Sequence, residues 1–317
     1  MGVKTRNLLQ LLLLAALWGP SFLLIKVAVA EIPPISLIFG RVGLAAVLLY
    51  LLLRLSGGKL PGPGRIWFPL AVVALFQTSL PLVLLSWAEQ HIDSALAAIL
   101  NSLTPLFTIL FAHLLTADDK LTIPKAAGIV LGLIGVLFFV APALQSGMQA
   151  STWGILAMIV VTASYGFAGV HTRNHLNNLP PLVAPAGQMA MSAFFLLLPM
   201  LIIEQPFAQP IPPPQAIGAV VGLAVLGTVL AFIVYYHLLR SASASYVSMV
   251  TYLVPVIGIL LGVIILDERL AWNDFVGFGL ILLGVLIVNG TLGNLRAGGG
   301  RDQLTSAANS SRQRTSK

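Results

Sequence analysis

The chain has 317 residues, of which 58% are hydrophobic and only 9% charged, and its mean hydropathy is +0.96. Soluble domains carry about 25% charged residues, so a water-soluble fold could not dispose of this much apolar surface. The lack of cysteine excludes a disulfide frame, a thiolate nucleophile and a cysteine metal site, and the net charge of +7 would suggest nucleic acid only in a soluble protein.

Roughly 20 apolar residues make one membrane-crossing helix. On that measure the sequence predicts ten spans, at about 8–30, 35–53, 66–88, 94–115, 123–141, 152–171, 181–203, 215–238, 244–266 and 272–290. Turn chemistry separates them: Pro33-Pro34, SGGKLPGPG at 56–64, Pro180-Pro181, and Pro210 with Pro212-Pro213-Pro214. Lys4 and Arg6 before Leu8–Leu17, with Ala28-Val29-Ala30 further on, also fit a signal peptide. The apolar run is too long for that, and it has a counterpart in mid-chain. Residues after about 291 are rich in Gly, Ser, Arg and Asn and read as a disordered tail.

The spans repeat. At a shift of 147, Trp18 falls on Tyr165, Gly19 on Gly166, Lys26 on Arg173, Pro33-Pro34 on Pro180-Pro181, Gly40 on Gly187, and Arg41 on Gln188. At a shift of 149 to 150, Leu103 and Pro105 fall on Leu253 and Pro255, DDKL (118–121) on DERL (267–270), and Gly128 and Gly135 on Gly277 and Gly284. The units expected are 1–145, 146–291 and a tail at 292–317. A unit of five spans is odd, so its second copy runs through the membrane inverted, as in alternating-access carriers.

Lys and Arg set orientation. With a cytoplasmic N-terminus, 14 of the 17 are cytoplasmic: Lys4, Arg6, Arg54, Lys59, Arg65, Lys120, Lys125, Arg173, Arg240, Arg296, Arg301, Arg312, Arg314 and Lys317. Lys26 and Arg41 lie inside spans, and Arg269 is in an outer loop. Both termini are therefore expected in the cytoplasm. The basic residues are topology signals and headgroup contacts rather than a nucleic-acid patch.

Trp18-Gly19 in the first span, Arg41 in the second, Pro105 and Pro255 in the fourth and ninth, the acidic-basic runs after those prolines, and the Gly-rich fifth and tenth spans together resemble the drug/metabolite transporter superfamily, in its ten-helix EamA-type branch. The resemblance covers about 8–290. It departs from the family pattern in having Asp118 where Glu is usual, and Gln188 where the first half has Arg41. It implies a carrier of small metabolites, often an exporter, and leaves the substrate open.

Arg41 lies about six residues inside its span, roughly 9 Å below the outer end. An intramembrane Arg is costly and faces a cavity or a partner. Here it either holds a substrate carboxylate as a fork, pairs with Glu31 or Glu89, or snorkels. Lys26, near the outer end of span one, reads as snorkelling, Glu89 as solvated, and Arg173 as a positive-inside anchor. Trp18 sits near the midplane, where its indole N–H needs a partner. With Tyr165 it lines a cavity or packs between helices.

Ser21, Gln77, Ser79, Asn101, Thr104, Gln188, Thr228, Thr251 and Tyr252 are further polar groups in spans. Singly each is read as interhelical glue worth about 0.6–2 kcal/mol; together they are too many for glue alone. The substrate-binding candidates are thus Trp18, Ser21, Arg41, Gln77, Asn101, Tyr165, Gln188 and Tyr252, with Pro105 and Pro255 as hinge or kink residues. Gly128 and Gly132 suit close helix contact, which makes spans five and ten scaffold or dimer face.

His113, His171 and His237 have no ligand spacing, so no metal is expected, although a proton role for histidine stays open. No GxxxxGK[ST] phosphate loop is present, no cofactor is expected, and no acidic residue is expected deep in any span, which disfavours proton antiport through a buried carboxylate. The fold expected is an all-α integral membrane protein, with ten transmembrane helices as two inverted five-helix repeats. The function expected is a secondary transporter of small metabolites such as amino acids or their derivatives, exporting across the bacterial inner membrane. Its partners would be a small-molecule substrate and the lipid bilayer, with no nucleic acid, as monomer or homodimer. The alternatives are multidrug efflux of lipophilic compounds and, remotely, a membrane-embedded transferase, for which the acidic pairs Asp118-Asp119 and Asp267-Glu268 lie on opposite faces.

Overall fold

A computed structural model of the chain describes residues 3–92, 94–145, 151–257 and 272–288. The DERL run at 267–270 and the tail after 291 lie outside the described residues. Among the described residues there is no strand. That follows from the solvent: in hydrocarbon each backbone N–H and C=O must be satisfied within its own segment, which a helix does. The helices are α1 (Val3–Trp18), α2 (Ser21–Val29), α3 (Pro34–Leu55), α4 (Trp67–Val73), α5 (Leu80–Ala88), α6 (Ser94–Asn101), α7 (Thr104–Leu115), α8 (Ile123–Gln145), α9 (Thr152–His175), α10 (Val183–Pro199), α11 (Pro214–Ala224), α12 (Ala231–Ser241), α13 (Ala244–Ser248) and α14 (Trp272–Val288).

Among the described residues, six helical runs are long and apolar enough to cross a membrane: Val3–Val29, Pro34–Leu55, Trp67–Ala88, Thr152–His175, Val183–Glu204 and Pro214–Ser241. Shorter apolar helices accompany them at Thr104–Leu115, Ile123–Gly135, Ala244–Ile257 and Gly279–Val288. Leu23, Leu55, Phe68, Phe194 and Ile202 point outward and are exposed. In water such a girdle would drive aggregation; against acyl chains it costs nothing.

Several expected spans are not continuous helices. The first bends at Gly19-Pro20, since Pro20 has no N–H to donate. The fourth is broken by a turn at Ser102-Leu103 between α6 and α7. Pro105 is therefore not a kink inside a helix: it lies in the first turn of α7, where a missing N–H is harmless. The ninth turns at Met249 after α13, and helix resumes over 250–257, so Pro255 lies beyond the break. Two long spans widen locally into π-helix, over Ala74–Ser79 and Val225–Leu230, and a third does so at its end, over Met200–Glu204. A π segment shifts the hydrogen-bond register to i→i+5 and often marks a functional site.

The helices before residue 145 pack directly on those after 151. α3 lies on α10, α8 on α14, α2 on α11, α1 on α12, and α5 and α7 on α9. The α8–α14 contact is backbone to backbone. A Cβ on Gly284 would lie 2.5 Å from the Gly128 carbonyl oxygen and 3.0 Å from the Gly132 nitrogen. Only glycine permits that approach.

Carboxylates hold two helix starts. Glu204 accepts from the Ile35 and Ser36 N–H groups at 2.8 and 2.6 Å, placing an anion at the positive end of α3. Buried Asp119 accepts from Ser245 N at 3.1 Å and from Lys125 Nζ at 2.6 Å. Arg173 is more than a topology anchor, since it forks onto Asp118 at 2.6 and 3.1 Å. That guanidinium holds the Asp118 carboxyl below the usual carboxylate range.

Candidate functional site

A cavity of about 100 Å³ lies between the helices. Trp18 at the end of α1, Ser21 on α2, Arg41 on α3, Gln77 in the first π segment, Asn101 at the end of α6 and Tyr165 on α9 all line it. Six of the eight predicted binding residues thus face one space. They come from six separate elements, which explains why no local motif announces the site.

The backbone around Gly227 organises the cavity wall. Its carbonyl oxygen accepts from Trp18 Nε1 at 3.0 Å and from Arg41 Nη2 at 3.0 Å. Arg41 Nε donates to Thr228 Oγ1 at 2.8 Å, and that hydroxyl donates to Leu223 O at 2.9 Å, five residues back. The π register supplies this geometry by freeing carbonyls that an α-helix would use internally. A Cβ on Gly227 would lie 2.9 Å from Ser21 Oγ and 3.3 Å from Arg41 Nη2, so the crowding of three elements needs glycine here.

Arg41 is 3% exposed. Among the described residues it makes no ion pair, so neither Glu31 nor Glu89 is its partner. Snorkelling is likewise excluded, because the guanidinium is enclosed and bonded to Thr228 and Gly227. Nε and one Nη2 hydrogen already serve protein acceptors, which leaves three donors, the second on Nη2 and both on Nη1, at the end of the guanidinium.

Aromatic rings continue the wall beside the Gly227 carbonyl. Trp18 meets Phe232 edge-on at 6.1 Å and Tyr235 at 5.8 Å between centroids. Tyr235 Oη donates to Gln77 Oε1 at 3.2 Å. Ser21 Oγ is buried without a hydrogen-bond partner. Phe22, Phe232, Tyr235 and Gly227 were not singled out from the sequence; the spacing of Phe232 and Tyr235, three apart on one helix face, was the available signal.

Two predicted residues lie elsewhere. Gln188 is fully buried outside the cavity lining, donating to Thr78 Oγ1 at 2.6 Å and accepting from Tyr236 Oη at 2.7 Å. Tyr252 is 1% exposed. It packs its ring on Gly132 and donates to Ile129 O at 3.0 Å, joining the broken span to α8. Both are ties between helices. Pro105 and Pro255 also lie outside the lining.

Lys26 and Glu89 differ from expectation. Lys26 does not snorkel: its Nζ donates to the backbone oxygens of Glu89 and Ile92, at 2.5 and 3.2 Å, closing the end of α5. Glu89 is not solvated: it is 0% exposed, with neither carboxylate oxygen hydrogen-bonded. A buried acid therefore exists where none was expected. Among the described residues no group of three or more His, Cys, Asp or Glu side chains could hold a metal ion.

A helical membrane protein enclosing a largely apolar cavity with one buried guanidinium among its spans has the build of a transporter. The sequence matches the EamA-like transporter family over residues 6–141 and 152–290, and the chain belongs to that family. It is similar to the uncharacterized transporter YoaV of Bacillus subtilis (strain 168), with 26% identity over 281 residues, 88% of this chain and 95% of that one. It is similar to the uncharacterized inner membrane transporter YedA of Escherichia coli (strain K12), with 27% identity over 280 residues, 87% of this chain and 88% of that one. A WAT1-related chloroplastic protein of Arabidopsis thaliana is 24% identical over 283 residues, 87% of this chain and 68% of its own. One solved crystal structure superposes with a TM-score of 0.73 at 20% identity, covering 89% of this chain and 96% of that chain, which is a likeness of fold.

Proposed function

We propose that the protein is a secondary transporter of the bacterial inner membrane that exports small metabolites bearing a carboxylate, such as amino acids or their derivatives. In this reading the ten spans form two inverted five-helix repeats, 1–145 and 146–291, both termini and the tail at 292–317 are cytoplasmic, and the halves rock about the cavity. The observation that carries it is Arg41: a buried guanidinium without a counter-ion among the described residues, lining a cavity built from both halves. A buried charge is tolerated when a partner arrives to neutralise it, and a substrate carboxylate does so while leaving the protein free to reset.

The test is extracellular metabolite profiling of cells producing the wild type or Arg41→Ala at equal membrane level. The reading expects carboxylate metabolites to accumulate outside only with the wild type. A second reading, efflux of lipophilic compounds, draws on the aromatic wall of Trp18, Phe232 and Tyr235. It expects resistance to lipophilic cations to rise equally in both strains with no change in metabolites.

A further inference from the structure

We infer that the molecule carried is the anion of an amphipathic monocarboxylic acid that has no ammonium group. The inference rests on the carrier reading above and narrows its carboxylate class to acids without an ammonium group, in place of free amino acids.

The charge inventory of the cavity supports it. Among the described residues that line it, Arg41 is the sole charged side chain; none is Asp, Glu, Lys or His. Glu89, which among the described residues is the one acid buried with no hydrogen-bond partner, is not among the lining residues. The remaining polar groups are neutral. Ser21 Oγ is buried with no partner, and Gln77 uses its carbonyl end on Tyr235. An incoming carboxylate would find a cation beside unpartnered neutral donors, which is the chemistry of anion capture.

An incoming ammonium would find no anion. Aromatic faces can hold a cation, and Trp18, Phe232 and Tyr235 are present. Yet Trp18 Nε1 and Arg41 Nη2 bond the same carbonyl oxygen, each at 3.0 Å. A cation on that wall would sit close beside a guanidinium in a medium of low dielectric, where like charges repel strongly. A zwitterion partly neutralises its own ammonium, so it is disfavoured less than a free amine. The order expected is anion, then zwitterion, then cation, with the apolar body against the aromatic wall.

The test uses three molecules related by deletion: 3-phenylpropionate, phenylalanine and 2-phenylethylamine. Apparent Kd is read from the thermal shift of the full-length protein in lipid nanodiscs, since a ligand that binds the folded state raises its stability by mass action. The expected result is at least a tenfold tighter Kd for 3-phenylpropionate than for phenylalanine, and no shift with 2-phenylethylamine. Arg41→Gln, checked for monodisperse folding, should weaken 3-phenylpropionate at least tenfold.

Equal or tighter binding of phenylalanine or the amine overturns the charge assignment and leaves the carrier reading intact. Unchanged anion binding by Arg41→Gln, or no shift with any of the three, also overturns it. The carrier reading fails separately, if profiling finds no metabolite exported.

Discussion

Arg41 on α3 and Thr228, in the π segment that follows α11, are joined by a hydrogen bond of 2.8 Å across the two halves of the chain. A similar tie runs the other way between the halves. Gln188, 147 residues after Arg41, donates at 2.6 Å to Thr78 in the π segment of the first half. One pair borders the cavity through a cation, and the other is neutral and fully enclosed. A tie of this kind between helices thus appears twice, and only one of the two is charged.

Thr228→Val removes the acceptor of Arg41 Nε and leaves that buried donor unpaired. One buried polar group without a partner costs about 1–3 kcal/mol. Transport by Thr228→Val should fall to a small fraction of wild type at equal membrane level, while Thr228→Ser, which keeps the hydroxyl, retains most of it. Equal flux in Thr228→Val would show that Arg41 needs no such positioning.

The α8–α14 contact predicts a stability effect remote from the cavity. Gly284→Ala puts a methyl against the Gly128 backbone, which cannot move aside as a flexible side chain could. Overpacking of this kind costs about 1–3 kcal/mol, so the thermal midpoint in detergent should fall by several degrees. Gly279→Ala, where a Cβ meets nothing within 4 Å, should leave it unchanged or raise it slightly.

Glu89 is enclosed without a hydrogen-bond partner, and an ionised carboxylate in such a place costs several kcal/mol. Its neutral isostere is expected to raise the thermal midpoint, read as Glu89→Gln against wild type at pH 7. Lys26→Met should lower the midpoint, because it strips the Glu89 and Ile92 backbone oxygens of their donor.

Asp118 and Arg173 give a pH dependence. The folded-state value for Asp118 is depressed by the Arg173 hydrogen bonds, so the pair's stabilisation is present at neutral pH and is lost as pH falls through that lowered value. The Asp118 side chain is 63% exposed, which puts the effect at about 0.2–1 kcal/mol. Asp118→Asn should remove that component of the acid dependence while leaving stability at low pH as in wild type, measured by thermal midpoint against pH.

The apolar runs were legible because lipid demands long uninterrupted hydrophobicity, and helices occupy each expected segment that is described. The breaks were not. Ser102-Leu103 and Met249 turn within runs that remain apolar, and a π register changes hydrogen bonding without changing hydropathy. The polar residues in spans were visible, but their facing was not. Gln77 and Gln188 look alike in sequence, and only helix rotation puts one at the cavity and the other against Thr78 and Tyr236. Tyr252 lies away from the cavity because its hydroxyl bonds Ile129 O and its ring packs on Gly132, neighbours that sequence distance conceals. Glu89 was misread because a span end gives depth along the chain, whereas burial is set by tertiary packing.

The chain has no cysteine, so a single one reports accessibility without background. Ser248 lines the cavity, and its hydroxyl returns only to Ser245 O, 2.9 Å away on its own helix, so Ser248→Cys is a mild change. Right-side-out and inside-out membrane vesicles carrying it would be treated with a membrane-impermeant maleimide. One cavity that opens alternately to the two faces predicts labelling from both sides, with saturating 3-phenylpropionate slowing both. Labelling from one side only, or from neither under conditions of active transport, would contradict it.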